Sequence, residues 1–295
     1  MSKQQLDDIL QLAAEAPPPE NPTPPDMRVW FEAINAQTPM AEGVEISPMN
    51  SGTWSGEWLK PSRSDGKRLM IYYHGGGFLF GSPRSHRAVT TRLAQLTEAP
   101  VLSIDYRLAP EHPAPAAHDD CFDAYRWALE QGFDASAISL AGDSAGGNLA
   151  LSTAIRARDE GLPTPGCVVM MSPALDLAGE GESHTRLQNA PLLTKELVDL
   201  FNRVYVGEGD LRSSRVTPFY SDMSDLPPIL IHVGSNELLV DDSVTVAGRI
   251  EQAAGQVELK VWPEMVHCWQ LYGPMLEESM QSIEEIAGFV MAHTG

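Results

Sequence analysis

The sequence predicts an α/β fold: one mostly parallel, eight-stranded sheet flanked by helices, with a helical cap. Three observations carry that prediction. Short apolar runs alternate with amphipathic stretches of helical length over most of the chain. A glycine-flanked serine, Ser144, stands where one such run gives way to a helix. One connection between strands is about sixty residues long, too long for a simple crossover, and marks an insertion. At 295 residues the chain suits one large domain carrying such an insertion.

Taken in order, residues 2–16 have helical periodicity, with Leu6, Ile9, Leu10 and Ala13 on one face. Ser2 is placed to cap this helix and Gln5 to complete a capping box. The prolines from Pro17 to Pro25 read as a stiff, extended link. A second helix, from about 26 to 37, carries Trp30, Phe31 and Ile34. Segments 44–46 and 53–59 read as an opening antiparallel pair. Six apolar runs too short for helices follow, at 69–73, 101–104, 138–141, 167–171, 229–233 and 257–261. Helical stretches lie between and after them, at about 85–98, 118–130, 145–160, 241–254 and 275–292. The long interval before 229 contains a further helix at 194–205 and reads as an inserted cap joined by the N-terminal helices. The expected division is therefore 1–45 and 178–224 as cap, 46–177 and 225–295 as core.

Twenty basic residues against forty acidic ones leave a formal charge of −20, spread along the chain. Such a charge disfavours nucleic acid and anionic membranes as partners. Cys121, Cys167 and Cys268 are odd in number and unrelated in spacing, which fits neither a disulfide framework nor a metal site. The N-terminus has no basic and apolar leader pattern, and no apolar run approaches the ~18 residues of a membrane span. A cytoplasmic protein is the expectation.

The chemistry gathers at three places. Gly142-Asp143-Ser144-Ala145-Gly146 fits G-x-S-x-G between a strand and a helix, the context of the nucleophile elbow in α/β hydrolases. The turn is too sharp for side chains at 142 and 146, and the helix start favours developing negative charge at Ser144. After the run at 69–73 comes His74-Gly75-Gly76-Gly77, whose unshielded amides suit an oxyanion hole. Gly76 and Gly77 are the expected donors with Ala145, Gly75 supports them, and His74 is expected to hold the loop. His267 follows the last strand, where the general base belongs; the other seven histidines fall elsewhere. Past the run at 229–233, Glu237, Asp241 and Asp242 offer three carboxylates. Glu237 comes first; Asp241 and Asp242 lie about one turn into the helix, where acids cap or solvate. The order Ser…Glu…His agrees with this fold and not with the chymotrypsin or subtilisin orders.

With these blocks in view the chain resembles the hormone-sensitive-lipase-like family of microbial esterases and lipases. The resemblance runs from about residue 45 to the end and rests on 74–78, on the eleven residues 106–116 (Tyr-Arg-Leu-Ala-Pro-Glu-His-Pro-Ala-Pro-Ala), and on 142–148. It implies ester hydrolysis without cofactor or metal, a helical cap, a preference for short acyl chains, and dimers formed through an edge strand. It also implies that the 106–116 block braces the site, with Arg107 and Glu111 structural. The family's acid is most often Asp followed by Pro, whereas Glu237-Leu238 stands here. Two other readings use the same residues: hydrolysis of an amide, formamide or lactone, and a non-catalytic small-molecule receptor, which would be expected to lack His267.

Overall fold

The computed structural model describes residues 2–20, 22–64 and 66–295; Met1, Asn21 and Asp65 lie outside them. Eight strands, β1 (Val44–Asn50), β2 (Ser55–Pro61), β3 (Leu69–Tyr73), β4 (Val101–Asp105), β5 (Ile138–Asp143), β6 (Cys167–Met171), β7 (Ile229–Gly234) and β8 (Val257–Trp262), form one sheet in the order β1-β2-β4-β3-β5-β6-β7-β8. β2 pairs antiparallel with both β1 and β4, and every pair from β4 to β8 is parallel.

The strands β3, β5, β6 and β7 are buried along their whole length, because helices cover both faces. Side-chain alternation divides β3 between two cores. Leu69, Ile71 and Tyr73 join α4 (Ala116–Glu130), α5 (Ala145–Asp159) and α8 (Val240–Gln252), while Met70 and Tyr72 join α3 (Arg87–Thr97) and α9 (Glu277–His293).

The N-terminal helices lie outside the sheet. In α1 (Lys3–Glu15), Leu6 and Ile9 pack on Trp262, Met265, Val266 and Trp269, against the loop that carries His267. Burying two such aliphatic side chains contributes on the order of 2 kcal/mol each. Ser2 does not cap this helix: its amide donates to Glu278 Oε1 (2.8 Å) and its hydroxyl to the same carboxylate. Gln5 is likewise turned outward and accepts from the Glu277 amide (3.0 Å). A tertiary carboxylate has outcompeted the local capping box. The proline link is also shorter than the sequence suggests. Pro24 and Pro25 open α2 (Pro24–Asn35) behind a Thr23–Asp26 capping box, where proline's missing N–H costs nothing.

The inserted segment holds a one-turn helix α6 (Ser183–Arg186) and α7 (Lys195–Val206), the latter capped by the Thr194 hydroxyl. Tyr205 of α7 stacks on Phe78 with ring centroids 3.9 Å apart, and Phe201 meets Phe80 edge-on. The Tyr205 hydroxyl donates to His118 Nδ1 (2.7 Å), and His118 Nε2–H donates to Asn148 Oδ1 (3.1 Å). Burial pushes His118 down to about 4, so the ring is neutral and can accept on one side while donating on the other. Among the described residues no helix is long and apolar enough to cross a membrane.

Candidate active site

The carboxyl ends of β3, β5, β7 and β8 present the loops on which the sequence placed its candidates. Ser144 occupies the junction of β5 and α5 with φ 50° and ψ −118°, a left-handed, strained backbone for a residue with a Cβ. Its amide donates to Met171 O (2.9 Å) and its carbonyl accepts from the Ala174 amide (3.0 Å), so the β6 end grips the elbow on both sides. The packing around the elbow leaves no room for side chains: a Cβ at Gly146 would lie 1.8 Å from Tyr73 O.

Three side chains from distant parts of the chain meet here. Ser144 Oγ lies 3.0 Å from His267 Nε2, and His267 Nδ1 lies 2.7 Å from Glu237 Oε2. The carboxylate can only accept, so Nδ1 carries the proton and Nε2 is free to accept from the serine hydroxyl. Glu237 is fully buried, and its other oxygen accepts from the Gly234 amide (2.6 Å) and the Ser172 hydroxyl (2.7 Å). The Cys268 sulfur is 3.4 Å from His267 Nε2, but burial pushes its thiol well up, leaving it protonated and weakly nucleophilic.

The other two carboxylates serve another part of the molecule. Asp241 accepts from the Ser183 amide (2.7 Å) and faces Arg186 (3.4 Å); Asp242 accepts from His184 Nε2 (2.9 Å) and from the Asp176 amide (3.1 Å). Both are in the first turn of α8 and fasten α6 to it.

On the opposite side of Ser144 lies the glycine loop. Gly76 and Gly77 have φ 118° and 58°, and a Cβ at Gly77 would lie 2.6 Å from Phe201. Among the described residues, the amides of Gly76, Gly77 and Ala145 have no protein acceptor, whereas that of Gly75 donates to Asp143 Oδ1 (3.0 Å). Gly75 is thus tied to the elbow strand through Asp143. His74 is held as well: its Nδ1 bonds to Gly75 O (2.7 Å) and its ring stacks on Tyr106 (4.1 Å). Burial and the neighbouring His86 push His74 down to about 3, which rules it out as a cation or base near neutrality.

Asp143 is a residue whose role sequence reasoning did not single out. Besides Gly75 it accepts from the Tyr72 hydroxyl (2.7 Å) and lies 3.3 Å from His86 Nε2. Burial alone would raise its carboxyl, but His86 and Tyr72 outweigh it and hold the group below the ordinary carboxylate range. The signal was present: a charged residue between an apolar strand and the elbow is certain to be buried and must have partners. Arg107 grips Asp120 through both Nε (2.9 Å) and Nη2 (2.7 Å). Arg28 of α2 pairs with Glu111 (2.7 Å) while donating to Leu79 O and Ala109 O, bracing the glycine loop from outside. No group of three or more His, Cys, Asp or Glu among the described residues is arranged to hold a metal ion.

Comparison with known proteins identifies the fold family. The family model of the alpha/beta hydrolase fold matches residues 70–271. An acetyl-hydrolase of Streptomyces hygroscopicus is 41% identical over 246 residues, covering 83% of this chain and 82% of that one. An esterase of Acinetobacter venetianus is 34% identical over 95% of this chain and 93% of its own. The crystal structure of an esterase from the bacterial hormone-sensitive lipase family superposes with a TM-score of 0.96 at 34% identity, over 99% of both chains. The chain belongs to the α/β hydrolases and, within them, to the hormone-sensitive-lipase-like carboxylic-ester hydrolases.

Proposed function

We propose that the chain hydrolyses dissolved short- to medium-chain acyl esters through an acyl-enzyme on Ser144. The observation that carries this reading is the continuous hydrogen-bonded line from Ser144 Oγ through His267 to Glu237. In the first step His267 Nε2 takes the hydroxyl proton as Ser144 Oγ attacks the ester carbonyl, then returns it to the leaving alcohol. Glu237 fixes the tautomer and stabilises the imidazolium. The free amides of Gly76, Gly77 and Ala145 receive the oxyanion, each worth on the order of 3 kcal/mol in the transition state. Water then repeats the attack on the acyl-enzyme, with His267 as base, and releases the acid.

In this reading residues 1–45 and 178–224 act as a cap over a core of 46–177 and 225–295. Phe201 and Phe31, which both meet Phe80, give the acyl side of the glycine loop an aromatic wall that suits a small substrate. Trp30, by contrast, donates to Ala16 O and is spent on joining α1 to α2. The three free, buried cysteines suit a reducing cytoplasm. A homodimer through the edge strand β8 completes the proposal, and light scattering of the purified protein tests it. For the reaction itself, Ser144→Ala is the test. A folded variant should lose at least several thousand-fold in turnover of a butyrate ester and resist labelling by a serine-directed phosphonate. Near-normal turnover would overturn the assignment. Faster turnover of long-chain triglyceride emulsions than of dissolved butyrate esters would overturn the chain-length reading.

A further inference from the structure

We infer that Ser172 is a positioning residue, whose hydroxyl holds the carboxylate and the histidine loop in register with the nucleophile. The inference rests on the Ser144–His267–Glu237 reading and adds to it a residue that touches none of the reacting atoms.

Ser172 is the first residue beyond β6 and is fully buried. Its Oγ is 2.7 Å from Glu237 Oε1 and 3.1 Å from the amide nitrogen of Cys268, the residue after His267. Directions follow from chemistry: the carboxylate can only accept and the amide can only donate, so one hydroxyl links the acid to the loop of the base. With the Gly234 amide it gives Oε1 two donors, leaving Oε2 as the oxygen directed at His267. The main chain of the same segment grips the nucleophile, through Met171 O and the Ala174 amide. Residues 171–174 therefore bond to Ser144, to Glu237 and to the residue that follows His267.

The backbone supports a role for the hydroxyl itself. Ser172 has φ 46°, in the left-handed region, where a Cβ costs about 1 kcal/mol. A turn needed only to redirect the chain would gain from glycine, and glycine would lose the hydroxyl. The Ser172 amide donates to His232 O (2.7 Å), which fixes the strained residue between β6 and β7. Loss of the hydroxyl would leave Oε1 with one donor and the Cys268 amide with none. Both freedoms loosen the orientation of His267 without touching the groups that bind ester, so the loss should fall on kcat.

The experiment measures kcat and KM on a dissolved butyrate ester for the wild type, Ser172→Ala, Ser172→Gly, Glu237→Gln and the Ser172→Ala/Glu237→Gln double variant, with folding checked by circular dichroism. Ser172→Gly relaxes the left-handed backbone and keeps the test open if the alanine variant fails to fold. We expect both Ser172 variants to lose about 10- to 100-fold in kcat with KM within about twofold. The double variant should be within about threefold of Glu237→Gln alone, because residues acting through one another are non-additive. Wild-type turnover in Ser172→Ala, normal turnover in Ser172→Gly beside an impaired Ser172→Ala, or a full additional loss in the double variant would each overturn the inference. An active Glu237→Gln would overturn the triad reading itself, and that result is visible without any Ser172 variant.

Discussion

The carboxyl end of the sheet and the cap segments beside it are held by different forces. At the sheet end the main chain does most of the holding: Met171 O and the Ala174 amide clamp the Ser144 backbone, the Gly234 amide donates to the Glu237 carboxylate, and glycines allow the backbone to close in. The inserted segment has a few main-chain bonds to the rest, such as the Ala114 amide to Tyr205 O (2.8 Å), and is otherwise fastened by side chains. Tyr205 reaches His118, His184 reaches Asp242, and Phe201 and Phe78 meet aromatic rings across the join. The difference teaches where precision is needed. Reacting groups must be held to fractions of an ångström, which a hydrogen-bonded backbone does at little entropic cost. In the proposed reading the inserted segment has only to cover the site, and a few buried side-chain pairs suffice.

That contrast can be broken at its seam. Gly77→Ala puts a methyl group into Phe201, where the glycine loop meets α7. Displacing the oxyanion donors should lower kcat by about 100-fold, near the cost of losing one such donor. Trimming the obstacle with Phe201→Ala should recover part of the loss. No recovery would mean that the loop fails through its own backbone and the seam is irrelevant.

A smaller effect, on stability, is expected from the cap's polar fastening. His184→Ala leaves Asp242 as a buried carboxylate held only by the Asp176 amide, a loss of about 3 kcal/mol. Burial already pushes Asp242 up to about 6. His184 holds that value down, so in the variant the carboxyl ionises higher still; the destabilisation should grow as the pH rises past 6 and shrink below it, where the carboxyl takes a proton. Thermal melts at pH 8 and pH 5 check the sign. Equal loss at both would show that packing, not charge, fastens α6.

The smallest effect belongs to Arg28–Glu111, exposed at the edge of the glycine loop. The Arg28 hydrogen bonds hold the Glu111 carboxyl at about 2, below its ordinary 4.5. Its contribution is thus complete above 4.5 and lost as the pH falls towards 2. Solvent screens the pair, so Glu111→Gln should lower Tm by only about a degree, and less in high salt. A loss of several degrees would mean that this pair does more than brace the loop from outside.

The same contrast explains what the sequence made legible. Strand runs such as 69–73 and 167–171 match the observed strands residue for residue, because strands buried on both faces must be apolar throughout. Ser144, the glycine loop and His267 stood out because an elbow and an oxyanion loop demand glycine at fixed places. Glu237 was separable from Asp241 only by its closeness to the strand, and its distance from His267 came from the structure. The partners of His118, His184 and Ser172 were not legible at all. Each contact joins residues 30 or more positions apart, and nothing local in a histidine or serine names its partner. Ser2 fails for the same reason: a carboxylate 276 residues away took the place of a local cap.

In the proposed reading Glu237 serves the reaction while Asp241, four residues on, fastens α6. Turnover of Glu237→Gln and Asp241→Asn on one dissolved ester, measured side by side with folding checked by circular dichroism, tests it most directly. Glu237→Gln should fall by about four orders of magnitude, because the amide keeps the size but loses the charge that supports the imidazolium. Asp241→Asn should stay within about tenfold of wild type, with its deficit in stability, since its partners are Ser183 and Arg186. A crippled Asp241→Asn beside an active Glu237→Gln would contradict the account and move the acid to Asp241.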